Sequence, residues 1–136
     1  MNKVVYILRG VSGCGKSTLA AELARGYTKP QICEADLYFM KHGKYEFDAS
    51  QLGAAHAWCH ANYLRALNDP NCDCVIVSNT NTKARDFKFY EKEAERRGIA
   101  TFCLVVENRH GGRNTHGVPQ EVLDRHADNI RNSLEL

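Results

Sequence analysis

Residues 10–17 read Gly-Val-Ser-Gly-Cys-Gly-Lys-Ser, and only Arg9 separates them from the apolar run Val4-Val5-Tyr6-Ile7-Leu8. The spacing is G-x-x-x-x-G-K-[ST], a loop whose backbone N–H groups turn inward toward phosphate oxygens. Its glycines allow conformations that a side chain would obstruct. The lysine reaches the β- and γ-phosphates, the serine hydroxyl suits Mg²⁺, and the helix that starts there adds the positive end of its dipole. Gly10, Ser12, Gly13, Cys14, Gly15, Lys16, Ser17 and Thr18 are therefore the expected nucleotide-binding residues. ATP and Mg²⁺ are the expected cofactors, with Ser17 on the metal.

The motif requires a strand before it and a helix after it, and the rest of the chain continues that alternation. Strands are expected at residues 3–9, 31–34, 72–78 and 100–106. Helices are expected at 17–25, from Asp48 to beyond Ala66, from Thr82 or Lys83 to Gly98, and from Pro119 onward. Gly26 stands where a helix C-terminus favours glycine, and Gln51 is placed as the capping-box partner of Asp48. Leu52, Ala55, Cys59, Tyr63 and Ala66 form the inner face of the second helix; Leu123, Ala127, Ile130 and Leu134 form that of the last. Alternation with short links predicts a parallel sheet with helices on both faces. The fold class is thus a three-layer α/β/α phosphate-loop NTPase, its four parallel strands in the order 2-3-1-4 and a C-terminal helix following a lid loop.

A chain of 136 residues suits a single domain with one core, here 1–136. It divides into a phosphate loop at 10–17, an acceptor loop at about 36–48 and a glycine-rich basic lid at about 107–117. A net charge of +2 neither demands nor forbids a nucleic-acid partner. No apolar run approaches the roughly 20 residues that span a bilayer, and the opening segment runs into the phosphate loop instead of a cleavage site. No membrane association and a cytoplasmic location are expected. The six cysteines lack C-x-x-C spacing and read as small buried hydrophobes, with Cys72 and Cys74 on one strand face.

Several polar residues gather where ligands bind in parallel sheets, beyond the carboxyl ends of the strands. Asp36 follows the second strand and suits either a general base or an ordinary solvated loop aspartate. Ser78-Asn79-Thr80-Asn81 closes the third strand, where many phosphate-loop proteins hold Mg²⁺ with an aspartate. Here the four residues suit water, Mg²⁺ or substrate, or equally a polar turn with a helix cap. Arg109 and Arg113 in the lid suit charge stabilisation or a solvated loop. Tyr38, Phe39, Tyr45 and Phe47 interleave with Lys41, His42 and Lys44. That pattern fits a platform for a nucleic-acid strand, or a loop packing its rings on the domain. His56 and His60 lack the glutamate of H-E-x-x-H and read as half-buried rings near Trp58.

No N-K-x-D base-reading loop of GTPases is present, and the chain lacks room for the subdomains of large motor ATPases. The order of motifs resembles the kinase domain of polynucleotide 5′-hydroxyl kinases over nearly the whole chain. The resemblance rests on G-V-S-G-C-G-K-S-T, A-D-L-Y-F (35–39), Y-E-F-D (45–48), A-H-A-W (55–58), V-I-V-S-N-T-N-T (75–82) and R-N-T-H-G-V-P (113–119). It implies Asp36 as general base, Lys16 and Ser17 on ATP–Mg²⁺, and Arg113 as the lid arginine, so that Asp36, Lys16 and Arg113 form the catalytic set. Together, Asp36, Tyr38, Phe39, Asn79 and Asn81 are the expected acceptor-binding residues. Phe39 stands where the phage enzymes carry a phosphate-gripping arginine, while Ser78 and Asn79 stand where relatives carry an acid. No D-x-D-G-T phosphatase motif is present.

The expected activity is transfer of the ATP γ-phosphate to a hydroxyl of DNA or RNA, with the 5′-OH as the leading acceptor. Two alternatives stand beside it. One is a kinase for another hydroxyl, on a 5-hydroxymethyl pyrimidine or a small metabolite; the other is a nucleotide-dependent switch or plain ATPase.

Overall fold

In the computed structural model, residues 2–107 and 117–134 are described. Six strands and four α-helices follow in chain order among them. They are β1 (Val4–Arg9), α1 (Lys16–Ala24), β2 (Pro30–Cys33), the two-residue strands β3 (Met40–Lys41) and β4 (Lys44–Tyr45), and α2 (Leu52–Asn68). Then come β5 (Cys74–Ser78), α3 (Ala84–Arg96), β6 (Ala100–Val105) and α4 (Gln120–Ser133). The long strands form one parallel sheet in the order β2-β5-β1-β6, the 2-3-1-4 arrangement expected once the β3–β4 hairpin is set aside.

Burial explains the central position of β1 and β5. Val5, Ile7, Leu8 and the whole of β5 are buried, and such unbroken β-branched runs suit strands covered on both faces. Alternate residues feed two separate cores. Val5, Ile7, Val75 and Val77 join Ala55, Cys59 and Tyr63 of α2 and Tyr90 and Ala94 of α3. Leu8, Cys74 and Ile76 join Ala20, with Leu19 and Leu23, of α1 on the other face. The phosphate-loop helix thus has one face of the sheet, and α2 and α3 have the other.

Several local expectations are corrected by this packing. Asp48 caps only the short 3₁₀ turn Ala49–Gln51, accepting from Ser50 N–H at 3.0 Å. Gln51 does not return a capping-box bond; its amide oxygen accepts from the Tyr38 hydroxyl at 3.5 Å. Leu52, on the first turn of α2, is 41% exposed, and Leu134 at the end of α4 is exposed as well. Gly98 follows α3 with φ +66°, the left-handed conformation that suits glycine past a helix end, whereas Gly26, the glycine expected at the end of α1, adopts no such conformation. Cys72 lies before β5 and packs in the α2–α3 core, while Cys74 faces α1, so the two do not share a face. Five of the six free thiols are buried and Cys103, on the edge strand β6, is exposed. Among the described residues no helix is long and apolar enough to cross a membrane.

Candidate functional site

The phosphate loop lies between β1 and α1, at the carboxyl edge of the sheet. Gly13 (φ +84°) and Gly15 (φ +101°) occupy the left-handed region that turns the chain back toward the start of α1. Gly10 is required for a different reason. A Cβ there would lie 2.8 Å from the Val106 carbonyl oxygen and 2.5 Å from Cys14 Sγ. The loop is therefore clamped between the end of β6 and its own buried cysteine. Ser12 is half-buried and Ser17 and Thr18 open the exposed side of α1.

Lys16 donates to the Val11 carbonyl oxygen at 2.9 Å and lies 3.8 Å from Cys14 Sγ. Burial pulls its ammonium below the usual lysine value, opposed by Cys14 and then by the carboxylates of Asp36 and Glu34. Both carboxylates thus bear on the lysine of the phosphate loop. Ser17 Oγ donates to Glu34 Oε1 at 2.8 Å. Sequence reasoning passed over Glu34, although it directly follows β2 at the carboxyl edge and stands only two residues before Asp36.

Asp36 lies in the first turn of the 3₁₀ segment Ala35–Phe39 and is exposed. The Tyr45 hydroxyl donates to its Oδ1 at 3.4 Å. Burial, then the charge of Asp36, pushes the Tyr45 phenol up to about 12, so it remains a donor at neutral pH. The backbone beside Asp36 is fixed from beneath, where Ala35 N–H donates to Asn79 Oδ1 at 2.9 Å. Asn79 is 8% exposed, and its amide also reaches the Tyr90 hydroxyl at 3.4 Å and Cys59 Sγ at 3.7 Å.

Three residues expected to touch an acceptor are thereby relocated. Asn79 is a buried strut under Asp36. Asn81 is buried with φ +46°, a conformation asparagine tolerates, and its amide donates to the Leu8 and Asn79 carbonyls. Phe39 is 2% exposed, its ring 5.1 Å from Phe47 and 5.5 Å from Tyr38. It belongs to the core because a 3₁₀ turn after β2 points it inward. Tyr38 is half-buried against Trp58 and remains beside the site.

The hairpin of β3 and β4 turns at His42 (φ +52°) and Gly43 (φ +78°), the pair of positive angles that matches strand twist. It exposes Lys41, His42 and Lys44, with Phe47 exposed at its base and stacked on Tyr45 at 6.4 Å. Of the two histidines on α2, His60 stacks on Phe89 at 4.0 Å, and burial, then His56, lowers its pKa. His56 is exposed, not half-buried. Arg109 and Arg113 lie outside the described residues.

Arg9 is a functional candidate that sequence reasoning missed. Although charged it is 3% exposed, and it donates to the Asn81 carbonyl at 2.7 Å, the Thr82 carbonyl at 3.3 Å and Ser133 Oγ at 2.8 Å. Its guanidinium lies 4.1 Å over the Phe87 ring. A single side chain thus ties the root of the phosphate loop to the turn after β5 and to α4.

The donor set fits a nucleoside triphosphate with Mg²⁺. It offers curled N–H groups, one lysine, the Ser17 hydroxyl and the Glu34 carboxylate. No group of three His, Cys, Asp or Glu side chains forms a metal cage among the described residues.

A family model described as an AAA domain matches residues 5–136. Human NEDD4-binding protein 2 is 32% identical over 140 residues, a match taking in 98% of this chain and 8% of that protein's length. Among solved structures, an APS kinase of Mycobacterium tuberculosis superposes with a TM-score of 0.55 at 16% identity, covering 96% of this chain and 98% of that one. A shikimate kinase of Bacteroides thetaiotaomicron gives 0.53 at 18% identity, covering 95% and 78%. At such identities these likenesses establish the fold, and the fold is that of the P-loop kinases.

Proposed function

The chain belongs to the AAA domain family and has a P-loop kinase fold, and from this premise we propose that it transfers the γ-phosphate of ATP to a hydroxyl of a nucleic acid, the 5′-OH first. One observation carries the reading. Asp36, held by Tyr45 and supported through Ala35, shares the carboxyl edge with Lys16 and bears on its charge. Donor loop and candidate base therefore lie near enough for their charges to interact. The exposed Lys41, Lys44 and Phe47 belong to the segment that reaches Asp36 through Tyr45, where they would serve as phosphate and base contacts.

The acceptor hydroxyl gives its proton to Asp36 as its oxygen bonds to the γ-phosphorus. The bond from that phosphorus to the β–γ bridging oxygen breaks, and ADP leaves with the electron pair. Lys16 and the loop N–H groups stabilise the charge gathering on the β- and γ-oxygens. Bound Mg²⁺ supplies further positive charge there, with Ser17 as its protein ligand. Arg113, outside the described residues, is the proposed closing cation. The likeness in fold to an APS kinase and a shikimate kinase supports phosphoryl transfer as the chemistry.

A second acceptor class is favoured by the burial of Phe39 where a phosphate-gripping arginine would stand. A hydroxyl without a neighbouring phosphate, on a modified base or a small metabolite, makes no use of that grip. Transfer of labelled γ-phosphate to 5′-OH DNA, 5′-OH RNA, 5′-blocked strands and blocked strands carrying hydroxymethyl pyrimidines separates the readings. Label at free 5′ ends that disappears in Lys16→Ala and Asp36→Asn supports the first. Label confined to the modified, blocked strands moves the acceptor to the base. ATP binding without label on any strand rules out a nucleic-acid kinase.

A further inference from the structure

In P-loop proteins the strand beside β1 commonly ends in an aspartate that serves Mg²⁺. Here that strand, β5, ends in Ser78. Cys74 and Ile76 of β5 face α1, and Val75 and Val77 face away, so Ser78 turns its hydroxyl toward the phosphate-loop helix. It is 5% exposed, and Oγ has no hydrogen-bond partner among the described residues. A buried hydroxyl without a partner is costly enough to point to a ligand.

On the adjacent strand β2, Ile32 faces α1 and Cys33 faces away. The next residue, Glu34, returns to the α1 face, and its carboxylate accepts from Ser17 Oγ at 2.8 Å. Cys33 pairs with Val77, and continuing that register places Glu34 beside Ser78. Two hydroxyls and one carboxylate therefore lie together on the α1 face, at the carboxyl edge.

We propose that the metal-serving carboxylate of this chain has moved one strand over, from the end of β5 to Glu34, and that Glu34 and Ser78 together hold the water shell of the divalent cation that Ser17 ligates. Glu34 is one methylene longer than aspartate, which gives it added reach from the neighbouring strand. Ser78 contributes the hydroxyl left in the old position. This rests on the nucleotide-binding part of the proposed function and not on the choice of acceptor.

The test uses Mn²⁺ as the probe and reads its affinity for the protein–ADP complex by loss of the free-ion EPR signal. ADP affinity is measured separately in EDTA. Glu34→Gln weakens Mn²⁺ binding by about 10- to 100-fold, the usual cost of losing an outer-shell partner, and leaves metal-free ADP affinity unchanged. Ser78→Ala weakens it several-fold, on the order of a smaller loss of the same kind. Adding Ser78→Asp to Glu34→Gln restores Mn²⁺ affinity by returning a carboxylate to β5. Unchanged Mn²⁺ affinity in Glu34→Gln overturns the proposal. So does a loss of ADP affinity in EDTA, which would make Glu34 a prop for the loop. A folded double variant that stays weak refutes the transposition; the Glu34→Gln result stands as a test even if that variant fails to fold. Absence of transfer to any acceptor, with these metal effects intact, would sink the kinase reading and leave the cation site standing.

Discussion

Replacing Asn79 by leucine separates the two roles open to that residue. Leucine keeps the branched, four-heavy-atom shape of asparagine but has bulkier methyl groups, so contact with Cys59 and Tyr90 is kept, with some overpacking, while the amide is lost. The buried Ala35 N–H, now bonded at 2.9 Å, would have no acceptor. A buried donor stripped of its partner costs about 1–3 kcal/mol. The Tyr90 hydroxyl keeps Cys59 Sγ at 3.5 Å, so its loss adds little. With a urea m-value near 2 kcal/mol/M, the midpoint should fall by roughly 0.5–1.5 M at unchanged slope. Because Ala35 adjoins Asp36, the transfer rate should fall too, on the order of 10- to 100-fold if the base is displaced by about 1 Å. Urea unfolding followed by circular dichroism, with kcat and KM on the preferred acceptor, supplies both readouts. A midpoint within about 0.2 M of the parent, together with a raised acceptor KM, would refute the strut and return Asn79 to the acceptor surface.

Phe39→Arg, which restores the arginine of the resembling enzymes, should destabilise the fold by about 3 kcal/mol or more, because it buries an unpaired charge; a urea midpoint matching the parent would contradict the core assignment. Gly10→Ala should cost about 1–3 kcal/mol through contact with the Val106 carbonyl, read as a lower Tm in the absence of nucleotide. Lys16→Met should raise stability without nucleotide at pH 7. The folded pKa of Lys16 lies below 10.5, so its charged form opposes folding at neutral pH and this penalty fades as pH rises through the folded pKa toward 10.5. Urea midpoints at pH 7 and pH 10 should therefore converge between the two proteins, and an unchanged midpoint at pH 7 would count against the burial of the ammonium.

The strands and their order were legible because each long strand carries its own signal. Val4 to Leu8 and Cys74 to Ser78 are nearly unbroken apolar runs, and a phosphate loop must leave the first of them into a helix. The connection from Leu37 to Phe47 was not legible, since it has no period. Its rings were open to two fates, and the 3₁₀ turn divided them, sending Phe39 into the core and leaving Phe47 exposed. Arg9 was invisible for a similar reason: charge at a strand end predicts solvent. Here three oxygen acceptors and a ring from distant segments close around it.

By itself the sequence determined the phosphate loop, since glycines at fixed spacing admit backbone angles other residues resist, and that requirement is local. It also determined the α/β alternation, which periodicity writes into each segment. Tertiary structure alone decided which polar residues at the carboxyl edge work outward and which work inward. Ser78, Asn79 and Asn81 are all short polar residues within four consecutive positions. Their alternation across β5 and the turn after it aims Ser78 at the phosphate-loop helix and buries Asn79 beneath Asp36. The neighbour that gives each position its meaning lies more than forty residues away for Asn79 and Ala35 (|i−j| = 44), and no local pattern encodes it.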